Sequence, residues 1–259
     1  MKNLWDHKLA SKLNKTPLLL RVYSSQLLGL DSDLVLHGGG NTSVKINETN
    51  IFGEEEEILY VKGSGRNLAT IDAKGFTPLR LKHMQKLAGL AHIDDKMLVN
   101  EQQLAMTNPE APRPSVEALL HAIIPFCWID HTHADAVVTL TNTPNGEKLI
   151  QDLYGDRFLI IPYVMPGFKL ARMVYEITHK VDWQQFERMI LLNHGIISFG
   201  TEAHESYKRM INAVNLAEKY LNKFSSIPKN NFKKTVPVLK QETLRKLARI
   251  RKKVSIIRG

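Results

Sequence analysis

The chain has 259 residues, 43% hydrophobic and 24% charged, enough for one large or two small domains with a buried core. A single cysteine, Cys127, excludes an intrachain disulfide and suits a reducing cytoplasm. The net charge of +9 sits at the C-terminus: residues 229–259 hold eleven Lys or Arg and one acidic residue, Glu242, so this tail carries +10 and the rest −1, which excludes a globally basic nucleic-acid surface. The most apolar N-terminal run, Pro17-Leu18-Leu19-Leu20, is cut by Arg21 and far too short to span a bilayer. A cytoplasmic protein with no membrane or nucleic-acid partner is expected.

In chain order, Leu20, Tyr23, Leu27 and Leu30, spaced three, four and three apart, predict a helix over residues 16–30. Leu34-Val35-Leu36 reads as a strand, Gly38-Gly39-Gly40 as a turn, and residues 41–46 as a second, alternating strand. Ile58-Leu59-Tyr60-Val61 is a further strand, running into Lys62-Gly63-Ser64-Gly65. Before it, Glu54 to Glu57 reads as a solvated hairpin loop, since four adjacent carboxylates repel. Thr77-Pro78-Leu79 is expected to open a helix through Leu87, with Pro78 in its first turn. Residues 94–106 form a second helical candidate, and the proline-rich residues 108–114 an ordered loop.

A helix over residues 115–124 places Val116, Leu119, Leu120 and Ile123 on its apolar side. A strand over 126–132 and a short helix over 134–140 follow, with Cys127 between Phe126 and Trp128 as a packing thiol. Then come a strand over 157–163, a helix over 168–179 opened by Pro166-Gly167, and strands over 188–192 and 196–199 around Asn193-His194-Gly195. Residues 202–224 are the best helix, Pro228 follows its end, and residues 241–254 are a basic helical candidate. Several strands are joined by links too short for parallel crossovers. The expected fold is α/β, a largely antiparallel sheet flanked by helices, with one domain over residues 1–228 and a basic segment over 229–259.

The chemistry-bearing residues cluster in a few turns. The glycine run lacks the Gly-x-x-x-x-Gly-Lys-Ser/Thr and Gly-x-Gly-x-x-Gly patterns, so nucleotide folds are not supported. His37-Gly38-Gly39-Gly40 has no Gly-x-Ser-x-Gly elbow to accompany it, against an α/β-hydrolase. What remains is either a tight hairpin turn or a cradle of N–H groups for an anion, with Asn41, Thr42 and Ser43 adding donors. Ser64-Gly65 repeats that chemistry, and Ser115, at the start of its helix, offers a third donor set.

His131 and His133, one residue apart on a strand, can point the same way. A zinc site needs at least three protein ligands, and His194 could supply the third, leaving a position open as catalytic zinc does. Glu117 is a fourth ligand, a general base, or simply a carboxylate favoured by the helix dipole. His121, one turn after Glu117, is a partner for it or a helix-stabilising neighbour.

Together these residues resemble the class II aldolase/adducin family over roughly residues 16–224. The resemblance rests on the order of Gly39-Gly40-Asn41-Thr42-Ser43, Gly63-Ser64-Gly65, Pro114-Ser115-Val116-Glu117, His131-Thr132-His133-Ala134-Asp135 and Leu191-Leu192-Asn193-His194-Gly195. The triple glycine, Tyr163-Val164-Met165-Pro166-Gly167-Phe168 and the tail look most like the aldolase part of bifunctional rhamnulose-1-phosphate aldolase/alcohol dehydrogenases.

The resemblance implies a three-layer α/β/α fold on a mostly antiparallel sheet, usually a homotetramer. It implies Zn2+ on His131, His133 and His194, Glu117 as catalytic acid/base, and Gly40, Asn41, Ser64, Gly65 and Ser115 around a substrate phosphate. The activity implied is cleavage of a ketose 1-phosphate to dihydroxyacetone phosphate and an aldehyde. Epimerases and dehydratases of sugar phosphates keep the same histidines, and adducin-like members are non-catalytic interaction modules. The sequence departs from the fuculose-phosphate aldolases in having one tyrosine, Tyr163, where they carry a tyrosine acid, and in offering Val116 without a hydroxyl after Ser115. The tail reads as a solvated amphipathic helix or an oligomer contact, with binding to acidic membrane or nucleic acid as the rival.

Overall fold

Residues 1–224 are described by the structure, a computed structural model. The boundary expected at residue 228 and the basic helix expected over residues 241–254 lie outside the described residues. Seven strands make one sheet in the order β3-β2-β1-β4-β7-β6-β5. In chain order these are β1 (Asn41–Thr49), β2 (Glu55–Lys62), β3 (Phe76–Arg80), β4 (Trp128–Thr132), β5 (Phe158–Ile161), β6 (Arg188–Leu191) and β7 (Gly195–Gly200). Every pairing is antiparallel except β5 with β6. The expected α/β sandwich with a mostly antiparallel sheet is the observed fold.

Helices cover both faces: α1 (His7–Leu13), α2 (Pro17–Gly29), α3 (Leu81–Ala88), α4 (Asp95–Leu104), α5 (Ala118–Ile123), α6 (Asp135–Thr141), α7 (Gly146–Tyr154), α8 (Phe168–Thr178) and α9 (Ala203–Phe224). Strand alternation divides the core. Ile190 and Ile196 pack with Leu28, Val137, Ile150, Tyr207 and Met210 beneath α2, α6, α7 and α9. Met189, Ile197, Phe199 and Ile129 pack with Leu120, Leu170 and Val174 beneath α5 and α8. On β4 this puts His131, like Ile129, toward α5. Asp130 and Thr132 turn toward α9, where Asp130 accepts from Ser206 and Thr132 donates to Met210 Sδ.

Three expectations are corrected. Leu34-Val35-Leu36 is no strand: the N–H groups of Leu34 and Val35 both donate to Asp31 O, and the two side chains plug the core as turn residues. Residues 77–80 belong to strand β3, not to a helix; β3 is an edge strand, where Pro78 costs no ladder bond, and α3 starts at Leu81. Glu55 to Glu57 extend β2 against Asn47 to Thr49, and the hairpin turn itself is Asn50 to Gly53. Helices α1 and α7 were not expected, although the spacing of Ile150, Leu153 and Tyr154 and the Asp6 cap, which accepts from Lys8 and Leu9, signalled them.

Candidate metal centre

His131 is a central β4 residue, paired with Asn41 of β1 and Ile197 of β7, and is fully buried. His133 follows the strand on the same side. His194 comes from the β6–β7 turn, shaped by Asn193 at φ 58 and by the Asn193 amide donating to Asn142 Oδ1 at 2.7 Å. Gly195 is required here, because a Cβ would lie 2.3 Å from Thr132 O and 3.1 Å from His131 Cε1. One ligand nitrogen from each of the three histidines falls within 4.8 Å of the others, and their rings are 4.9, 5.0 and 5.1 Å apart.

The donor set fits a cation. His131 Nδ1 is 3.0 Å from Ile196 O, a carbonyl that can only accept, so Nδ1 carries the proton and Nε2 a lone pair. His133 Nε2 lies 3.1 Å from His131 Nε2. Two ring nitrogens that close need a proton or a cation between them, and tetrahedral zinc, with Zn–N near 2.0–2.1 Å, sets its nitrogens about 3.3 Å apart. Burial lowers His131 to about 4, with His133 and His194 adding to it against Glu117; burial and His194 lower His133 too. Neutral imidazoles at physiological pH are the form that binds metal.

Glu117, the residue before α5, puts Oε1 3.2 Å from His194 Nε2 and 3.6 Å from His131 Nε2, without a well-aligned hydrogen bond to either. Burial alone would raise this carboxyl. The adjacent His131 and His194 outweigh it and hold Glu117 well below the usual carboxylate range. The arrangement is three imidazoles and one ionised carboxylate around a common space. His121 does not hydrogen-bond Glu117; its Nδ1 is 2.7 Å from Ser43 Oγ.

The glycine turns meet beside this cluster. Gly40, at φ 64, precedes Asn41, and a Cβ on Gly40 would lie 2.5 Å from Val35 Cγ1 and 2.9 Å from His131 O. Gly39 packs toward His133, and Gly38 abuts Gly65, itself at φ 72. Ser64 N–H donates to Arg113 O, and Gly63 bridges Pro114, which draws in Ser115. Ser115 is three residues ahead of α5 rather than at its start, and its Oγ accepts from Glu117 N–H at 3.3 Å. Asn41 is fully buried, and neither atom of its amide has a partner among the described residues. Gly40, Asn41, Ser64, Gly65 and Ser115 are thus brought to one side of the histidines. Tyr163 is exposed and donates to Met165 Sδ.

Two residues escaped the sequence reading. Lys62 is buried, and its Nζ donates to Gly38 O and Arg66 O at 2.8 Å each, tying the two glycine turns together; burial, opposed by Glu117, lowers it to about 8. Arg21, fully buried, pairs with Asp130 at 2.5 Å and donates to Ser43 O and Ile129 O, fixing β1 to β4 beneath the site. Neither carries a local signal, because only the closed fold shows that these cations lie inside.

Among the described residues no helix is long and apolar enough to cross a membrane. The Class II Aldolase and Adducin N-terminal domain pattern matches residues 21–221. The chain is 37% identical over 222 residues, 86% of its length, to a protein of Bacillus subtilis (strain 168) named "Uncharacterized oxidoreductase YuxG", and spans about a third (32%) of it. The N-terminal class II aldolase domain of a conserved Thermoplasma acidophilum protein superposes with a TM-score of 0.75 at 39% identity, over 85% of this chain and 99% of that one. A sugar-phosphate aldolase from Thermotoga maritima shares the fold at 16% identity, with a TM-score of 0.58 over 84% of this chain and 99% of that one. The L-fuculose-1-phosphate aldolase of Thermus thermophilus does so at 15%, with 0.52 over 80% and 95%. With its seven-stranded sheet and histidine triad, the chain belongs to the class II aldolase and adducin N-terminal domain family.

Proposed function

We propose that the chain is a zinc-dependent lyase cleaving a ketose 1-phosphate, of rhamnulose- or fuculose-phosphate type, to dihydroxyacetone phosphate and an aldehyde. The observation that carries it is the ionised Glu117 carboxylate 3.2 Å from His194 and 3.6 Å from His131, within the triad and beside paired glycine turns. His131, His133 and His194 would hold the zinc. When bound, the ion supplies Lewis acidity toward the carbonyl and hydroxyl oxygens of the sugar.

The chain's own residues do the rest. Gly40, Asn41, Ser64, Gly65 and Ser115 hold the phosphate, with the unpartnered Asn41 amide supplying a donor. That anchor sets C3 of the ketose against Glu117. The ionised Glu117 accepts the C4 hydroxyl proton as the C3–C4 bond breaks, C4 becomes the aldehyde carbon and C3 keeps the electron pair. Glu117 then delivers that proton to C3, and in the synthetic direction removes it. No redox change occurs, and a 6-deoxyketose yields lactaldehyde. The relative named an oxidoreductase, of which this chain spans about a third, supports a place as the aldolase part of a bifunctional aldolase/dehydrogenase. Assembly as a homotetramer belongs to the same proposal and is read by sedimentation.

A product assay over a panel of ketose phosphates tests the reaction. Triose phosphate plus aldehyde supports it, whereas an inverted sugar, a dehydrated sugar or no product overturns it in favour of an epimerase, a dehydratase or a non-catalytic module. Metal analysis should find about one zinc per chain, lost in His131→Ala. Glu117→Gln should keep the zinc and lose proton exchange at C3 of dihydroxyacetone phosphate.

A further inference from the structure

The β1–β2 hairpin extends past its neighbours in the sheet. β4 pairs with β1 only from Asn41 to Val44, and β3 pairs with β2 only from Ile58 onward. Asn47 to Thr49 and Glu55 to Glu57 therefore pair with each other and with no other described strand. A two-stranded arm without sheet neighbours is marginal by itself, yet its tip is firmly tied. Gly53 N–H donates to Asn50 O and Asn50 N–H to Glu54 O, while the Asn50 side chain accepts from Phe52 N–H at 2.9 Å and Glu54 N–H at 3.0 Å. That turn presents Ile51 and Phe52 at 94% and 80% exposure. Turns favour Gly, Pro, Asn, Asp and Ser, so turn formation does not account for these two side chains. Neither belongs to an apolar cluster of the described residues.

A groove of matching character lies beside the base of the arm, between α1, the start of α2, β4 and the start of α9. It is a cavity of about 520 Å³ with Trp5, Leu20 and Trp128 as its apolar lining and with His7 and His204, whose rings are 4.7 Å apart, as polar walls. Ser11 is exposed on the α1 face that lines it, and the exposed Lys8, Lys12 and Lys15 run alongside that face.

The charges are complementary. Residues 47–57 hold five glutamates and no Lys, Arg or His, whereas residues 1–15 hold four lysines and one acid, Asp6. Glu54, Glu55 and Glu57 are exposed, and Glu202 is the only acidic residue among those described around the groove. The segment over residues 229–259, at +10, has the same sign as the α1 rim and is not its complement. The arm does not fill the groove of its own chain either: Ile51 is six residues past Lys45, a lining residue, or roughly 20 Å along an extended strand.

We infer that the arm of one copy docks in the groove of the next, with Ile51 and Phe52 seated on Trp5, Leu20 and Trp128 and the glutamates of the arm along the lysines of α1. Phe52 is the buried anchor and the charged stripes are the rim. Each copy uses one tip and one groove, the head-to-tail contact that closes rings. The inference rests on the homotetramer proposed above, to which it gives a specific joint, and not on the cleavage reaction.

Sedimentation of the full chain tests it with two variants. Phe52→Asp removes the tip and Ser11→Trp fills the groove; both positions are exposed, and far-UV circular dichroism checks that the fold is kept. Ile51→Asp replaces Phe52→Asp if the latter does not fold. Each variant alone should be monomeric, with association weakened at least about thirtyfold. Mixed one to one, they should form a dimer and nothing larger, because one intact tip still meets one intact groove. A monomeric wild type overturns this contact and the tetramer reading together. A wild-type assembly that either variant retains overturns the contact alone. Monomeric variants that give no dimer on mixing also overturn it, and assign the tip to another surface, the basic tail included.

Discussion

His131 and Gly39 border the same space, and they are held there by different means. His131 is inside the ladder, bonded to β1 on one side and β7 on the other, with its ring nitrogen anchored on Ile196 O. Gly39 sits in a turn outside the sheet, closed by one hydrogen bond to Leu36 O; its neighbour Gly38 abuts Gly65 of the second turn, and Lys62 ties the two turns by reaching Gly38 O and Arg66 O. The metal-type half inherits its precision from strand pairing, which fixes side chains at every second position. The anion-type half is set by backbone groups in left-handed conformations and by one buried cation. Damage to the sheet should therefore reach the histidines first, and damage to Lys62 should reach the turns first.

The strongest blow to the ladder half is Arg21→Met. It leaves Asp130 as a buried, unpaired carboxylate beside His131, and removes the donors that tie Ser43 O to Ile129 O. Loss of about 3–5 kcal/mol of stability is expected in urea unfolding, with zinc affinity falling alongside. A change under about 1 kcal/mol would mean that the strands hold the histidines without help from beneath.

Gly195→Ala is the next largest. Its Cβ would meet Thr132 O at 2.3 Å, a backbone atom that cannot swing aside, and the His131 ring at 3.1 Å. A cost of about 1–3 kcal/mol is expected, and competition with a chelator should show zinc held at least about tenfold more weakly.

Lys62→Met tests the other half. It strips the donor from Gly38 O and Arg66 O while leaving the three histidines and their strands untouched. Zinc content should stay at the wild-type level, whereas competition by inorganic phosphate should weaken about tenfold, by the loss of roughly one hydrogen-bonded anchor. If zinc is lost first, the two halves are not separately built.

The same contrast explains what the sequence made legible. His131 and His133 could be placed because period-two alternation is local, and His194 because a glycine-flanked turn between two apolar strands is local too. Leu34-Val35-Leu36 misled because an apolar triplet can plug a core from a turn as well as from a strand. Pro78 misled because its helix-opening habit and its tolerance on an edge strand look alike until the sheet order is known. Lys62 and Arg21 were invisible: a cation's burial depends on which carbonyls and carboxylates the closed fold brings to it, and those partners lie 24 and 109 residues away at the furthest. The glycine turns were readable as turns from their residues, but their convergence was legible only through the family resemblance.

The smallest expected effect is a pH dependence that weighs one buried lysine from each half. Lys62 ties the turns; Lys45, on β1, donates to Ile124 O beneath the ladder half, and burial, opposed by Glu57, lowers it to about 8. An unfolded lysine titrates near 10.4. Between about pH 8 and 10.4 the unfolded chain therefore binds more protons than the folded one, and stability rises with pH by at most about 1.4 kcal/mol per unit for each lysine. Tyr60 and Tyr154, both raised by burial, act oppositely above pH 10, since the folded state then keeps protons that the unfolded state has lost. Urea melts from pH 7.5 to 9.5 should show wild type gaining on both Lys45→Met and Lys62→Met as pH rises. A gain on Lys45→Met alone would place Lys62 in effective contact with water, and the turns it ties would then be held by their glycine geometry rather than by a buried charge.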